Sequence, residues 1–83
     1  MEDRVAVMAI IVENLESAEA INALLHEHAN HIVGRMGIPY RMRGISVLSV
    51  VLDAPQDDIS TLAGRIGALD GVSVKTAFSN VIG

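Results

Sequence analysis

The chain has 83 residues, a formal net charge of −4 and no cysteine. That length is one domain, the missing cysteines exclude disulfides, thiolate metal sites and cysteine nucleophiles, and the acidic balance argues against a free-standing nucleic-acid binder. Apolar residues make up 51% of the chain, more than suits a domain that buries only roughly 60–65% of its unfolded surface, so some are expected in a subunit interface. Tyr40 and Phe78 are the only aromatic residues. The core is therefore built from Val, Ile, Leu, Ala and Met.

Residues 5–12 (VAVMAIIV) form the longest uninterrupted apolar run. It is far short of the ~20 residues that span a bilayer. It follows Glu2 and Asp3, and no small-residue cleavage site follows it, so it reads as a strand and not as a signal peptide. The cytoplasm is the expected location, with no membrane partner. Both faces of this strand are apolar, so both must be covered. From Ala18 the period changes to 3.6. Ala18, Ile21, Leu24, Leu25, His28 and Ile32 fall on one stripe, while Glu19, Asn22 and His26 point away. The pattern predicts a helix over about 17–30, with Ser17 as its N-cap.

Residues 32–40 (IVGRMGIPY) are extended but broken by Gly34, Gly37 and Pro39. Proline lacks a ladder donor, so this is an edge strand, bulged at a glycine. Arg41, Met42 and Arg43 are expected to continue it, and Gly44 marks the turn. Residues 45–52 (ISVLSVVL) form another strand that is apolar on both faces. Pro55 suits a first helical position, and Asp57 and Asp58 favour a helix start. Ile59, Leu62, Ala63, Ile66 and Leu69 then mark a second amphipathic helix over about 56–69. Gly64 and Gly67 are expected to let it lie close to the sheet. Asp70 and Gly71 make a turn. Residues 72–78 (VSVKTAF) alternate, with Val72, Val74, Thr76 and Phe78 inward. The tail, residues 79–83, has little to hold it.

The order β-α-β-β-α-β predicts an α+β ferredoxin-like sandwich. The right-handed crossover rule gives an antiparallel sheet of order 4-1-3-2, with two helices on one face. The doubly apolar first and third strands suit its centre. Their second face is then bare in a monomer, which predicts a homodimer or higher homo-oligomer closed across the open sheet.

His26, His28 and His31 are all the histidines of the chain. On a helix, His26 and His28 point about 200° apart and cannot share an ion. His28 and His31, at i and i+3, could share one, but need further ligands; the plainer reading makes His28 a packed residue. Arg35, Arg41 and Arg43 are half of the Lys and Arg, and no acid occurs between Glu27 and Asp53. With Gly34, Gly37 and Tyr40 they suggest an anion or ligand site; the alternative is charge protection of an edge strand. Glu13, Asn14 and Glu16 lie where the first strand meets the first helix, a junction that can face a ligand in such folds. The candidate ligand set is thus Glu13, Asn14, Arg35, Gly37, Tyr40 and Arg41. No phosphate-binding glycine loop, Gly-x-Ser-x-Gly or carboxylate–histidine pair is present. No enzyme activity and no cofactor are expected; an acid–base role would fall to His28 or His31.

Residues 9–13 (AIIVE), 24–27 (LLHE), 32–40 (IVGRMGIPY), 44–53 (GISVLSVVLD) and 71–75 (GVSVK) resemble the small iron-only hydrogenase system regulators, over nearly the whole chain. GRMGIPY followed by GIS is the most specific part. That family is similar in fold to ACT-type regulatory domains and to the C-terminal, metal-sensing domain of the nickel-responsive repressor. The resemblance implies a ferredoxin-like fold, oligomerisation through the sheet and a regulatory role. The loop after the first strand lacks the glycine usual in ACT domains that bind amino acids. The chain also lacks the cysteine of the nickel site, and no segment is left over for a DNA-binding arm. The expectation is an oligomeric regulatory domain, a transcriptional regulator that senses a small ligand or metal or works through a protein partner. The alternative is direct DNA binding through an Arg35, Arg41 and Arg43 edge.

Overall fold

The computed structural model describes residues 3–82. Four strands, β1 (Asp3–Val12), β2 (Ile32–Tyr40), β3 (Ile45–Pro55) and β4 (Val72–Ile82), alternate with two helices, α1 (Ala18–Glu27) and α2 (Gln56–Gly67). The strands form one antiparallel sheet in the order β2-β3-β1-β4. This is the ferredoxin-like order expected, read from the other edge.

The sheet is built on the β1–β3 pair, which keeps an unbroken register from Asp3 opposite Pro55 to Val12 opposite Ser46. Successive strand residues point to opposite faces. Ala6, Met8, Ile10 and Val12 of β1 and Leu48, Val50, Leu52 and Ala54 of β3 are buried on one face. Ile21 and Leu25 of α1 and Ile59, Leu62 and Ile66 of α2 close that face. Val72, Val74 and Phe78 of β4 pack at its border. The opposite face carries Val5, Val7 and Ile11, each 41–42% exposed. On β2, Met36, Ile38 and Tyr40 pair with Ser49, Val47 and Ile45 and join this open face, again as exposed side chains.

Several local expectations change. Arg41–Arg43 is a 3-10 turn and not a continuation of β2; Gly44 closes it at φ +65°. The bulge in β2 falls between Ile32 and Gly34, as the glycine suggested. The first helix is shorter than its pattern. Leu15–Ser17 and Ala29–His31 are separate 3-10 turns flanking α1, and Asn14, not Ser17, supplies a capping oxygen, to Glu16 N–H. The Ser17 hydroxyl donates instead to the Asp70 carbonyl at 2.7 Å. Pro55 ends β3 and flanks α2, one place before the position expected. Gly64 and Gly67 do not bring α2 closer to the sheet: an added Cβ would meet nothing at Gly64 and only Val74 at 3.8 Å at Gly67.

The tail also differs. β4 runs to Ile82, and Ile82 pairs with Arg4 across an irregularity in the ladder. Arg4 holds this end. Its Nη2 donates to the Ser79 carbonyl at 2.7 Å, its Nη1 to Gln56 Oε1 at 2.9 Å, and its guanidinium lies 5.0 Å from the Phe78 ring centroid. Such contacts between residues 75 positions apart leave no trace in a local pattern. Gly83, the last residue of the expected loose tail, lies outside the described residues.

The β1–α1 junction is tied to the α2–β4 turn. Glu13 N–H donates to the Gly71 carbonyl at 2.7 Å, and Asn14 Nδ2 donates to Asp70 Oδ2 at 2.8 Å. Gly71 has φ +68°, and a Cβ there would stand 2.6 Å from Asn14 Cβ and 2.8 Å from Asn14 N. Glycine is required twice, by conformation and by space. Gly71→Ala is therefore expected to lower unfolding free energy by ~2 kcal/mol or more. Gly64→Ala, in an open stretch of helix, is expected to raise it by ~0.5–1 kcal/mol. Urea melts of the two variants check this; equal effects would refute the distinction.

Candidate functional site

Helices cover the inner face of β1 and β3 but stop short of β2. Ile32 apart, every β2 residue is exposed. Register places Arg35, Gly37 and Pro39 opposite Val50, Leu48 and Ser46, hence on the helix side of the sheet. A groove is left between α1 and this edge strand. A cavity of 270 Å³ lies in it, lined by Val12, Ala18, Ile21 and Asn22 on one side and Arg35, Gly37, Pro39, Ser46 and Leu48 on the other. Arg35 Nη2 donates to Asn22 Oδ1 at 2.9 Å. This bond bridges the groove. Beyond it lies a second, shallower hollow lined by Asn22, Leu25, His26, Ala29, Ile32 and Arg35.

The candidate residues thus separate. Arg35 and Gly37 share the groove. Glu13 and Tyr40 lie at the far end of the open face, where a hollow is lined by Ile11, Glu13, Tyr40, Arg43 and Ile45. Asn14 is engaged in the loop tie, with both side-chain polar atoms bonded. Arg41 is exposed in the turn after β2. The three arginines do not form one edge: Arg35 reaches toward α1, while Arg43 borders the open face.

His28 ends α1, and its ring Nδ1 lies 3.0 Å from the Leu24 carbonyl. A carbonyl only accepts, so in this bond Nδ1 carries the proton. His28 and His31 rings meet edge to face with centroids 6.4 Å apart. Among the described residues no group of three or more His, Asp or Glu side chains could hold a metal ion. Asn22 and Ser46 were missed as site residues. Asn22 reads as a solvent-facing helix position, and only the placement of β2 beside α1 turns it toward the groove. The available signal was its i, i+4 spacing to His26 along one flank of the helix.

The family model for "TM1266-like: Iron-only hydrogenase system regulator, putative" matches residues 4–76. The chain belongs to this family. An uncharacterized protein, TM1266 from Thermotoga maritima, superposes with a TM-score of 0.89 and 32% sequence identity, over 93% of this chain and 98% of that one. A formyltetrahydrofolate deformylase from Pseudomonas putida KT2440 superposes with a TM-score of 0.67 at 16% identity, over 93% of this chain but 29% of the deformylase. That likeness concerns the fold alone. A search of curated proteins found no match. Among the described residues, no helix is long and apolar enough to cross a membrane.

Arg35 contributes little to the fold in this geometry. Its side-chain hydrogen bond to Asn22 is solvent-exposed, and exposed polar contacts are typically worth under ~1 kcal/mol. Arg35→Gln is expected to move the thermal midpoint by no more than a few degrees. A collapse of stability in calorimetry would show that the arginine serves the scaffold.

Proposed function

We propose that this chain is a non-enzymatic regulatory domain that works as a homodimer closed across the open sheet face, and that it senses a small ligand in the groove beside Arg35. Membership in a family described as hydrogenase system regulators supports the regulatory role and suggests an iron-only hydrogenase system as its setting. The acidic net charge favours output through a protein partner over direct contact with DNA.

The observation that carries the dimer is the open face. Val5, Val7, Ile11, Met36, Ile38 and Tyr40 are each 41–61% exposed there, and register sets them on the same face on either side of Ile45, Val47 and Val51 of β3. Covering each remainder is worth on the order of 1 kcal/mol, and a contiguous patch of this kind marks an interaction site. The ends of the face differ in charge. Asp3 and Asp53 lie at one end, where β1 starts and Val5 pairs with Asp53. Arg41 and Arg43 lie at the other, in the turn between Tyr40 and Ile45, with Glu13 lining the same hollow as Arg43. A second copy turned end for end brings the arginines of each chain to the aspartates of the other. Two sheets packed face to face, with corresponding strands aligned within about 30° and running in opposite directions, satisfy that arrangement.

Sedimentation equilibrium is expected to give a dimer at micromolar concentration. Ile11→Asp is expected to raise the dissociation constant by about a hundredfold or more, equivalent to ~2.7 kcal/mol, while circular dichroism stays unchanged. Arg43→Asp alone weakens the dimer, and Arg43→Asp with Asp53→Arg recovers it. A monomeric wild type refutes the interface; weakening without recovery refutes its orientation. For sensing, a thermal-shift screen of amino acids, nucleotides, organic acids and divalent metals is expected to yield a stabiliser, since ligand at ~100 times its dissociation constant adds about 2.7 kcal/mol. A screen without any stabiliser contradicts sensing.

A further inference from the structure

The geometry points to the chemical class of ligand: we propose that the groove between α1 and β2 takes a small organic monocarboxylate, its head on Arg35 and its apolar tail across Gly37. This rests on the reading of the groove as a sensing site.

Gly37 carries the inference. It lies inside a strand, and its φ is not among the positive values, which occur among the glycines only at Gly44 and Gly71. A Cβ on it would meet only Leu48 side-chain atoms, at 4.0 Å, an ordinary contact. Neither conformation nor space requires glycine here. Glycine inside a strand weakens it, through chain entropy and the side-chain packing it forgoes. What the missing side chain does is keep the cavity open.

The lining of the cavity describes its occupant. Val12, Ile21 and Leu48 give it apolar walls. Arg35 is its one charged lining residue, and among the described residues the only ion pair is Arg65 with Glu27, so Arg35 has no carboxylate partner. It is bonded to a neutral amide oxygen, Asn22 Oδ1. The guanidinium fork matches the plane of a carboxylate and binds it with two parallel bonds. One positive charge neutralises a monoanion and leaves a phosphate dianion uncompensated. Asn22 and Ser46 stand in the same lining, and their amide and hydroxyl groups are further donors. At 270 Å³ the space falls below the ~300–1,000 Å³ of pockets for drug-sized ligands, so the tail is a few carbons long.

Amide NMR titration of the full chain with hexanoate tests this, with hexylamine as the same tail on a cation and inorganic phosphate as an anion without a tail. Hexanoate is expected to shift the Asn22, Arg35, Gly37 and Ser46 amides saturably. Arg35→Gln weakens binding by about tenfold or more. Gly37→Val fills the cavity and abolishes binding while spectral dispersion is retained. Equal response to hexylamine or phosphate, or unchanged binding in Arg35→Gln, overturns the assignment. If hexanoate fails but another stabiliser from the thermal screen shifts these amides, the carboxylate class is wrong and the sensing groove stands. If no compound shifts them, the groove falls with it.

Discussion

The antiparallel pairing of β1 with β3 is the constraint on which the rest of the structure depends. Ten consecutive residue pairs, from Asp3 with Pro55 to Val12 with Ser46, hold two doubly apolar strands in register. A slip of one residue would exchange the faces of every side chain. In this register Met8, Ile10, Val50 and Leu52 all point toward the helices and are fully buried. The same alternation sends Val5, Val7 and Ile11 the other way. Two helices on one face cannot cover both, so the open face follows from the strands that build the core.

The edges of the sheet follow from the same centre. β2 and β4 complete the hydrogen bonding of β3 and β1. β4 is drawn in by the core, through Val72, Val74 and Phe78. β2 is not. Its inner face has an arginine, a glycine and a proline, Arg35, Gly37 and Pro39, opposite Val50, Leu48 and Ser46 of β3. The groove beside α1 is therefore a consequence of composition along one strand, and it opens away from the apolar face. One side of the molecule carries the open apolar face and the other the groove beside α1, with β2 common to both. A ligand that pulled Arg35 from Asn22 would act on the strand that also presents Met36 and Ile38 to the open face.

Most of the architecture was legible because strong local patterns carried it. Apolar alternation on both faces marked the first and third strands as central, and Pro39 marked the second as an edge. Asp70 and Gly71 announced the turn that the loop after β1 packs against. The misreadings have a common cause in contacts distant along the chain. Arg4 extends β4 through Phe78 and Ser79, and Ser17 serves Asp70 rather than its own helix. The candidate site was legible in its residues and not in its grouping. Arg35 and Tyr40 are five positions apart and face opposite sides of a pleated strand, so one ligand cannot meet both within a chain. Asn22 and Ser46 needed the tertiary fold to be placed beside Arg35.

Isotope-filtered NOE spectroscopy on a mixture of labelled and unlabelled protein tests the face-to-face assembly most directly, because it reads contacts between copies without altering the sequence. Intermolecular NOEs are expected at the methyl groups of Val5, Val7, Ile11 and Ile38. Their absence there at a concentration where the protein is dimeric, with intermolecular NOEs from α1 or α2 instead, would contradict it.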